Sequence, residues 1–416
     1  MTSSLGPLQQ DGRVVIIGGG PGGVACGLAL QRLGAELNRK LQITILEGKQ
    51  FAGEHHYNQC VGVLSHPLPS LLEDELKVPF PYNLSRGEIQ AYVLHTEDEE
   101  IKVSSQEQDS IIMRRVQFDA YMLDQAKQNG IAIISARAVD IEFHADKVVV
   151  YTESAPLECD VVVGAFGMDE GSAAFFSRQT GYKPPLALSS VVTKYHPDPE
   201  SVKAFGSNIH AFLLPQPGIE FGAITPKGNH LTINIAGLSV DTELMQVFLD
   251  HPTVHAQLPS ISQEAGDNST DLRFFKGRFP RSLSKHYYGD RYVMIGDAAG
   301  LVRAFKGKGV TSAVMTGIRA ANTILEKGIS RQAFHSHFRS ANRDITGDLP
   351  YGRAMRFLTI YMARFGLLDP ILRAAKQDAN LSAALFDAIS AHAPYRQVIN
   401  KAFKPRSIQA IIRALF

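Results

Sequence analysis

The chain has 416 residues, of which 44% are hydrophobic and 20% charged, with a formal net charge of +1. That is the make-up of a soluble globular protein of two or three domains, because single cores stop growing near ~250–300 residues. It excludes a disordered chain, and the 3 cysteines without a CxxC pair exclude a disulfide framework.

The polar start, MTSSLGPLQQDG, has no apolar signal core and predicts a cytoplasmic protein. Arg13–Ile17 then reads as a short β-branched strand. Gly18, Gly20 and Gly23 fit GxGxxG, Val24–Leu33 has helical periodicity, and the strand Ile43–Leu46 ends in Glu47. Gly18 permits the tight turn, Gly20 lets the backbone approach a diphosphate, and Gly23 lets helix and strand pack closely; Pro21 and Gly22 are assigned to cofactor binding with them. The helix amino terminus offers N–H groups and positive potential to phosphates. Glu47 can accept from adenosine ribose hydroxyls. This motif does not choose between FAD and NAD. Gly164–Gly171 is not a second such fingerprint, so one nucleotide fold is expected.

The segment from Glu54 to Ser65 follows the second strand and is expected to enter the nucleotide pocket. Its adjacent His55 and His56 lack a third ligand at regular spacing, so no metal is assigned. Further on, Ala91–Leu94, Ala187–Lys194, His210–Leu214, Phe221–Ile224 and Leu231–Ala236 read as strands, with turns at 215–218 and 226–228. They predict an antiparallel sheet in a second domain, with the active site where the two domains meet.

Arg291–Ile295 reads as another strand, running into Gly296-Asp297-Ala298-Ala299-Gly300. A loop with Gly307 and Gly309 leads to a long helix of small residues. From Tyr351 to the end, ten basic residues stand against three acids. The tail alternates arginine with apolar residues and breaks at Pro370 and Pro405. Two readings stay open there: basic amphipathic helices on an anionic membrane surface, or a helical region with a solvated basic face.

Residues 290–322 resemble the GDAAG region of the flavoproteins that include p-hydroxybenzoate hydroxylase and the geranylgeranyl reductases. Arg115-Val-Gln-Phe118-Asp119 with Leu123 resembles the RxxFDxxL helix start of that superfamily. The segment from Asp160 to Gly167 resembles its DG motif. The resemblance covers most of residues 12–330. It implies an α/β fold: a Rossmann-type FAD-binding domain (11–60, 110–185 and 286–345), an antiparallel-sheet substrate domain (61–109 and 186–285) and a helical C-terminal region (346–416). FAD is the implied cofactor. Asp297 would bond its ribityl and ribose hydroxyls, Arg115 would lie near flavin or diphosphate, and the helix starting at Gly309 and Val310 would point its positive end at the isoalloxazine. Ala304 and Lys308 depart from the usual pattern, and Lys306 and Lys308 would either favour the reduced anion or be solvated.

Cys60-Val-Gly62-Val resembles the cysteine loop of the geranylgeranyl reductases. Cys60 would then touch substrate or help to supply a proton; the alternative is a small buried hydrophobe. Tyr57 is the competing proton donor, with ring packing as its alternative. Cys26 and Cys159 read as structural. The resemblance implies reduction of carbon–carbon double bonds in a prenyl or other lipid-like substrate. Electrons would come from NAD(P)H or a redox protein, with the inner face of a membrane as a peripheral site and no nucleic-acid partner. The alternatives are a flavin monooxygenase acting on an aromatic substrate and a non-catalytic flavoprotein.

Overall fold

The computed structural model describes residues 5–49, 60–104, 110–259, 272–303 and 309–415. The expected first strand forms at Arg13–Ile17, and Gly20 caps a helix over Pro21–Glu36 that has its proline at the first turn. Proline costs nothing there, since its missing N–H would have no partner within the helix. Residues Val14 to Ile17 are all buried, and helix and strand share the main core.

Five parallel strands build the nucleotide-fold sheet, in the order Tyr292–Met294, Val161–Gly164, Arg13–Ile17, Gln42–Leu46 and Ala132–Ile134. The short strand Tyr288–Gly289 adds antiparallel at one edge. From the central strand Arg13–Ile17 the chain goes next to one side, to Gln42–Leu46. The other neighbour, Val161–Gly164, comes much later. A crevice therefore opens beyond the carboxyl ends of these two strands, the usual place for a ligand in such sheets.

A second sheet has seven strands: Phe274–Pro280, Ala187–Tyr195, Leu231–Gly237, Phe221–Pro226, Asn208–Phe212, Ala91–His95 and Glu100–Val103. All five strands read from sequence are in it. The sheet is not wholly antiparallel, however: Asn208–Phe212 runs parallel to Ala91–His95. The two come from segments far apart in sequence, and no hairpin dictates their sense. One face of this sheet buries Val191, Phe212, Ile224, Ile233 and Ile235 against Met245, Phe248 and Leu249 from the helix Thr242–Leu249. On the other face, the Ala91–Val103 edge packs Tyr92, Leu94, Ile101 and Val103 against Leu372, Leu381, Phe386 and Ile389 of the carboxy-terminal helices. The bidentate pair of Arg356 with Glu220, 2.6 Å from Nε to Oε2, also ties those helices to the sheet.

Candidate active site

Gly18 follows the central strand with φ +111°, and a Cβ there would lie 2.4 Å from the Ala165 carbonyl oxygen. Gly23 packs over it: a Cβ would stand 2.0 Å from the Gly18 oxygen. Gly20 differs. Its Cβ would meet nothing within 4 Å, so open space lies beside the first turn of the helix. Gly18 and Gly23 thus make the tight turn and the close packing expected of them, and the space at Gly20 leaves room for the backbone approach expected there. Gly22 and Gly317 bring a second helix, Gly309–Glu326, close to the first; a Cβ on Gly317 would sit 2.4 Å from the Gly22 oxygen. Both helices begin near this point, and each amino terminus adds positive potential. Glu47 accepts from the Gly19 N–H at 2.9 Å through Oε2 and from the Lys49 N–H at 2.7 Å through Oε1. Those bonds orient the carboxylate and leave lone pairs for ligand hydroxyls.

The strand expected at Arg291–Ile295 is shorter than read, Tyr292–Met294, because Gly296–Ala299 turns into a short helix that ends at Gly300 with φ +67°. The Gly296 N–H donates to Thr316 Oγ1 at 3.0 Å, and Tyr182 Oη donates to the Ala298 carbonyl at 2.6 Å. These bonds fix the turn that carries the half-buried Asp297. Burial pushes its carboxyl up to about 6, with Arg115 opposing. A Cβ on Gly309 would lie 4.0 Å from Asp297 Oδ1, so the start of the long helix, with Val310, adjoins this carboxylate. Arg115 opens the helix Arg115–Gln128 and pairs with Asp119 at 3.0 Å. Burial works against its charge, but Asp119, Cys60 and Asp297 more than offset that. Arg115, Cys60 and Asp297, distant in sequence, thus share one neighbourhood.

Cys60 is exposed, which overturns its reading as a buried hydrophobe. Cys26 and Cys159 are buried, and burial pushes each thiol up to about 12, as expected of structural cysteines. Gly62 holds the Cys60 loop tightly: its φ is +83°, and a Cβ would come within 2.0 Å of the Met113 carbonyl oxygen. The strand Val63–Leu64 then pairs with Ser110–Met113, directly before Arg114 and Arg115. Tyr57, His55, His56, Gly307, Ala304, Lys306 and Lys308 lie outside the described residues.

One group of residues at this site was not singled out from sequence. Lys227 donates from Nζ to the Cys60 carbonyl at 2.9 Å and is 6% exposed. Burial pulls its ammonium down to about 8. Its neighbours include Lys194, Arg114 and His230. The available signal was the alternation His230-Leu-Thr232-Ile-Asn234-Ile235, which reads equally well as a solvated strand face. Elsewhere, a cleft of about 290 Å³ lies between Thr311, Ser312 and Met315 of the long helix, His66 and Pro67, and Asp344 and His392.

The cradle fits a flavin dinucleotide on three counts: the space beside Gly20, the oriented Glu47, and the half-buried Asp297 next to Gly309. No model of a known family matches the chain. Curated relatives do. The chain is 23% identical to a digeranylgeranylglycerophospholipid reductase of Methanococcus vannielii, over 60% of its own length and 63% of the relative's. To the protein of the same name from Methanocaldococcus jannaschii it is 25% identical, over 74% and 75%. Among solved structures, a geranylgeranyl bacteriochlorophyll reductase-like protein from Thermoplasma acidophilum matches with a TM-score of 0.68 at 15% identity, covering 98% of this chain and 96% of that one. The flavin-dependent brominase Bmp2 matches with a TM-score of 0.62 at 17% identity, covering 95% and 99%. The α/β fold and the sequence relatives agree: the chain is similar to geranylgeranyl reductase-type, flavin-dependent oxidoreductases.

Proposed function

We propose that the protein binds FAD through Gly18, Gly20, Pro21, Gly22, Gly23, Glu47, Arg115, Gly296, Asp297, Gly309 and Val310, and reduces a carbon–carbon double bond of a prenyl or other lipid-like substrate. The observation that carries this reading is the nearness of both Cys60 and Asp297 to the Arg115 guanidinium, in a chain whose curated relatives are named as lipid reductases. When bound, reduced flavin supplies hydride to one alkene carbon. The chain must supply a proton to the other. The Cys60 thiol is accessible for that transfer and lies near Arg115, and solvent returns the proton to the sulfur afterwards. Tyr57 is the second candidate donor. NAD(P)H or a redox protein would reduce the flavin.

Anaerobic photoreduction followed by one addition at a time tests this. Reoxidation by a polyprenyl lipid without oxygen supports the reading, and Cys60→Ser should keep its flavin but slow that step at least roughly tenfold. An oxygenated flavin that forms and decays only with an aromatic acid would replace it with monooxygenation.

Among the described residues, no helix is long and apolar enough to cross a membrane. A surface suited to an anionic bilayer lies on the helix Leu349–Arg364 and the turn after it. Phe357 is 69% exposed, Tyr361 50% and Phe365 58%, beside exposed Arg353 and Arg364. The last helix, Pro405–Leu415, instead turns Ala410, Ile411 and Ala414 onto the core. We therefore place the peripheral membrane contact chiefly on the aromatic stripe. Replacing Phe357 and Phe365 by serine should abolish sedimentation with anionic vesicles, and undiminished sedimentation would remove the assignment.

A further inference from the structure

Pairing in the seven-stranded sheet sets Lys194 opposite Thr232, and Thr232 opposite Thr225. Residues two apart on a strand share a face, so His230 and Lys227 continue that polar row, while Ile224, Leu231 and Ile233 face the apolar core on the other side. The row is dry: Thr225 is 1% exposed, Thr232 2%, His230 1% and Lys227 6%. Buried polar atoms nearly always have partners. Among the described residues Thr225 Oγ1, Thr232 Oγ1 and His230 Nε2 have none.

Lys227 does have one, and it lies outside the sheet. The turn at 226–228 sets its place: the Lys227 N–H donates to the His230 carbonyl at 2.8 Å, and Gly228 takes φ +70°. From there Nζ donates to the Cys60 carbonyl at 2.9 Å, and it would stand 2.9 Å from a Cβ on Gly62. The Cys60 loop thus has two anchors. Gly62 is tied to the strand that leads into Arg114 and Arg115, because the Met113 N–H donates to its carbonyl at 2.9 Å. Cys60, two residues earlier, is tied to the sheet through Lys227. A lysine is a costly choice for that task. Burial pulls its ammonium down to about 8, and Lys194, Arg114 and Arg115 act in the same direction. Apolar residues of similar volume often replace a buried charge without loss of stability. Stability therefore does not account for a lysine here, and departures of this kind concentrate at functional sites.

We propose that Lys227 is a positioning residue for Cys60: its bond to the Cys60 carbonyl sets where the thiol stands relative to Arg115 and the reacting flavin. The anchor itself does not depend on the alkene reading given above. Its effect on turnover does rest on that reading, because Lys227 acts through the proton transfer assigned there to Cys60.

Four flavin-loaded proteins test this: the parent, Lys227→Met, Cys60→Ser and the double variant. Hydrogen exchange reads the anchor without any substrate. Residues 60–64 should exchange at least roughly tenfold faster in Lys227→Met than in the parent, with residues 14–17 of the central strand unchanged. Equal exchange at 60–64 would overturn the anchor. Anaerobic reoxidation of photoreduced flavin by a polyprenyl lipid reads the role. Lys227→Met should lower the rate at saturating lipid roughly tenfold and leave the half-saturating concentration within about twofold. In the Cys60→Ser background the same substitution should lower the rate by less than about twofold, since the residue it acts through is gone. Equal slowing in both backgrounds would overturn the role, and so would weaker lipid binding at an unchanged saturating rate. Flavin content and unfolding midpoint should match or exceed those of the parent, because methionine removes a buried cation from among cations. Faster exchange in Lys227→Met, with no lipid turnover even in the parent, would uphold the anchor and end the alkene reading.

Discussion

The glycine turn and the polar sheet face make sites in opposite ways. At the turn, side chains are absent so that backbone can approach: Gly18 and Gly23 have no room for a Cβ, and Gly20 has open space beside it. On the sheet, the backbone is spent in strand pairing and the side chains alone present chemistry. The first kind of site is rigid, built into the fold, and tolerates almost no change. The second is carried on a scaffold that stands without it, and its unpartnered groups weaken that scaffold. Adding a Cβ where the turn is closed should therefore damage the fold, whereas removing a polar group from the sheet face should strengthen it.

The largest expected effect is at Gly18. Gly18→Ala forces a Cβ onto the Ala165 carbonyl in a left-handed conformation, and should cost about 3 kcal/mol or more by denaturant unfolding. Gly20→Ala is its contrast. With φ −69° and nothing in reach of the Cβ, it should leave stability unchanged or raise it by about 0.5 kcal/mol, while weakening flavin at least roughly tenfold. Loss of stability at Gly20 would merge the two glycines and blur the comparison.

Next is Asp297. Its carboxyl, pushed up to about 6, binds more protons when folded than when unfolded in the window from pH ~4 to that value. Stability of the flavin-free protein from this group is therefore full below the window, falls as pH rises through it, and is level above. At ~1.4 kcal/mol per unit the loss is up to about 3 kcal/mol. Subtracting the curve of Asp297→Asn from that of the parent should isolate that slope; identical curves would mean that burial does not raise the Asp297 carboxyl.

The smallest pair lies side by side on one strand. Ile233→Thr places a hydroxyl in the apolar face and should cost about 2 kcal/mol, whereas Thr232→Val removes an unpartnered hydroxyl and should gain about 1 kcal/mol. Two losses of similar size would mean that the polar face is ordinary packing.

Sequence alone determined the nucleotide fold, the glycine turn with Glu47, the strands of the second sheet and the segment holding Asp297. The reason is local: a glycine that must adopt positive φ, a β-branched run or a turn carries its constraint in adjacent residues. Cys60 could be placed in a loop, though only the folded chain shows it exposed near Arg115. Tertiary structure alone decided the parallel junction of Asn208–Phe212 with Ala91–His95. It also decided that the alternating face of Leu231–Gly237 is buried instead of wet, and it gathered Lys194, Lys227 and Arg114 beside Cys60. Period-two alternation specifies two faces of a strand but not what covers either one; strand order and domain packing supply that.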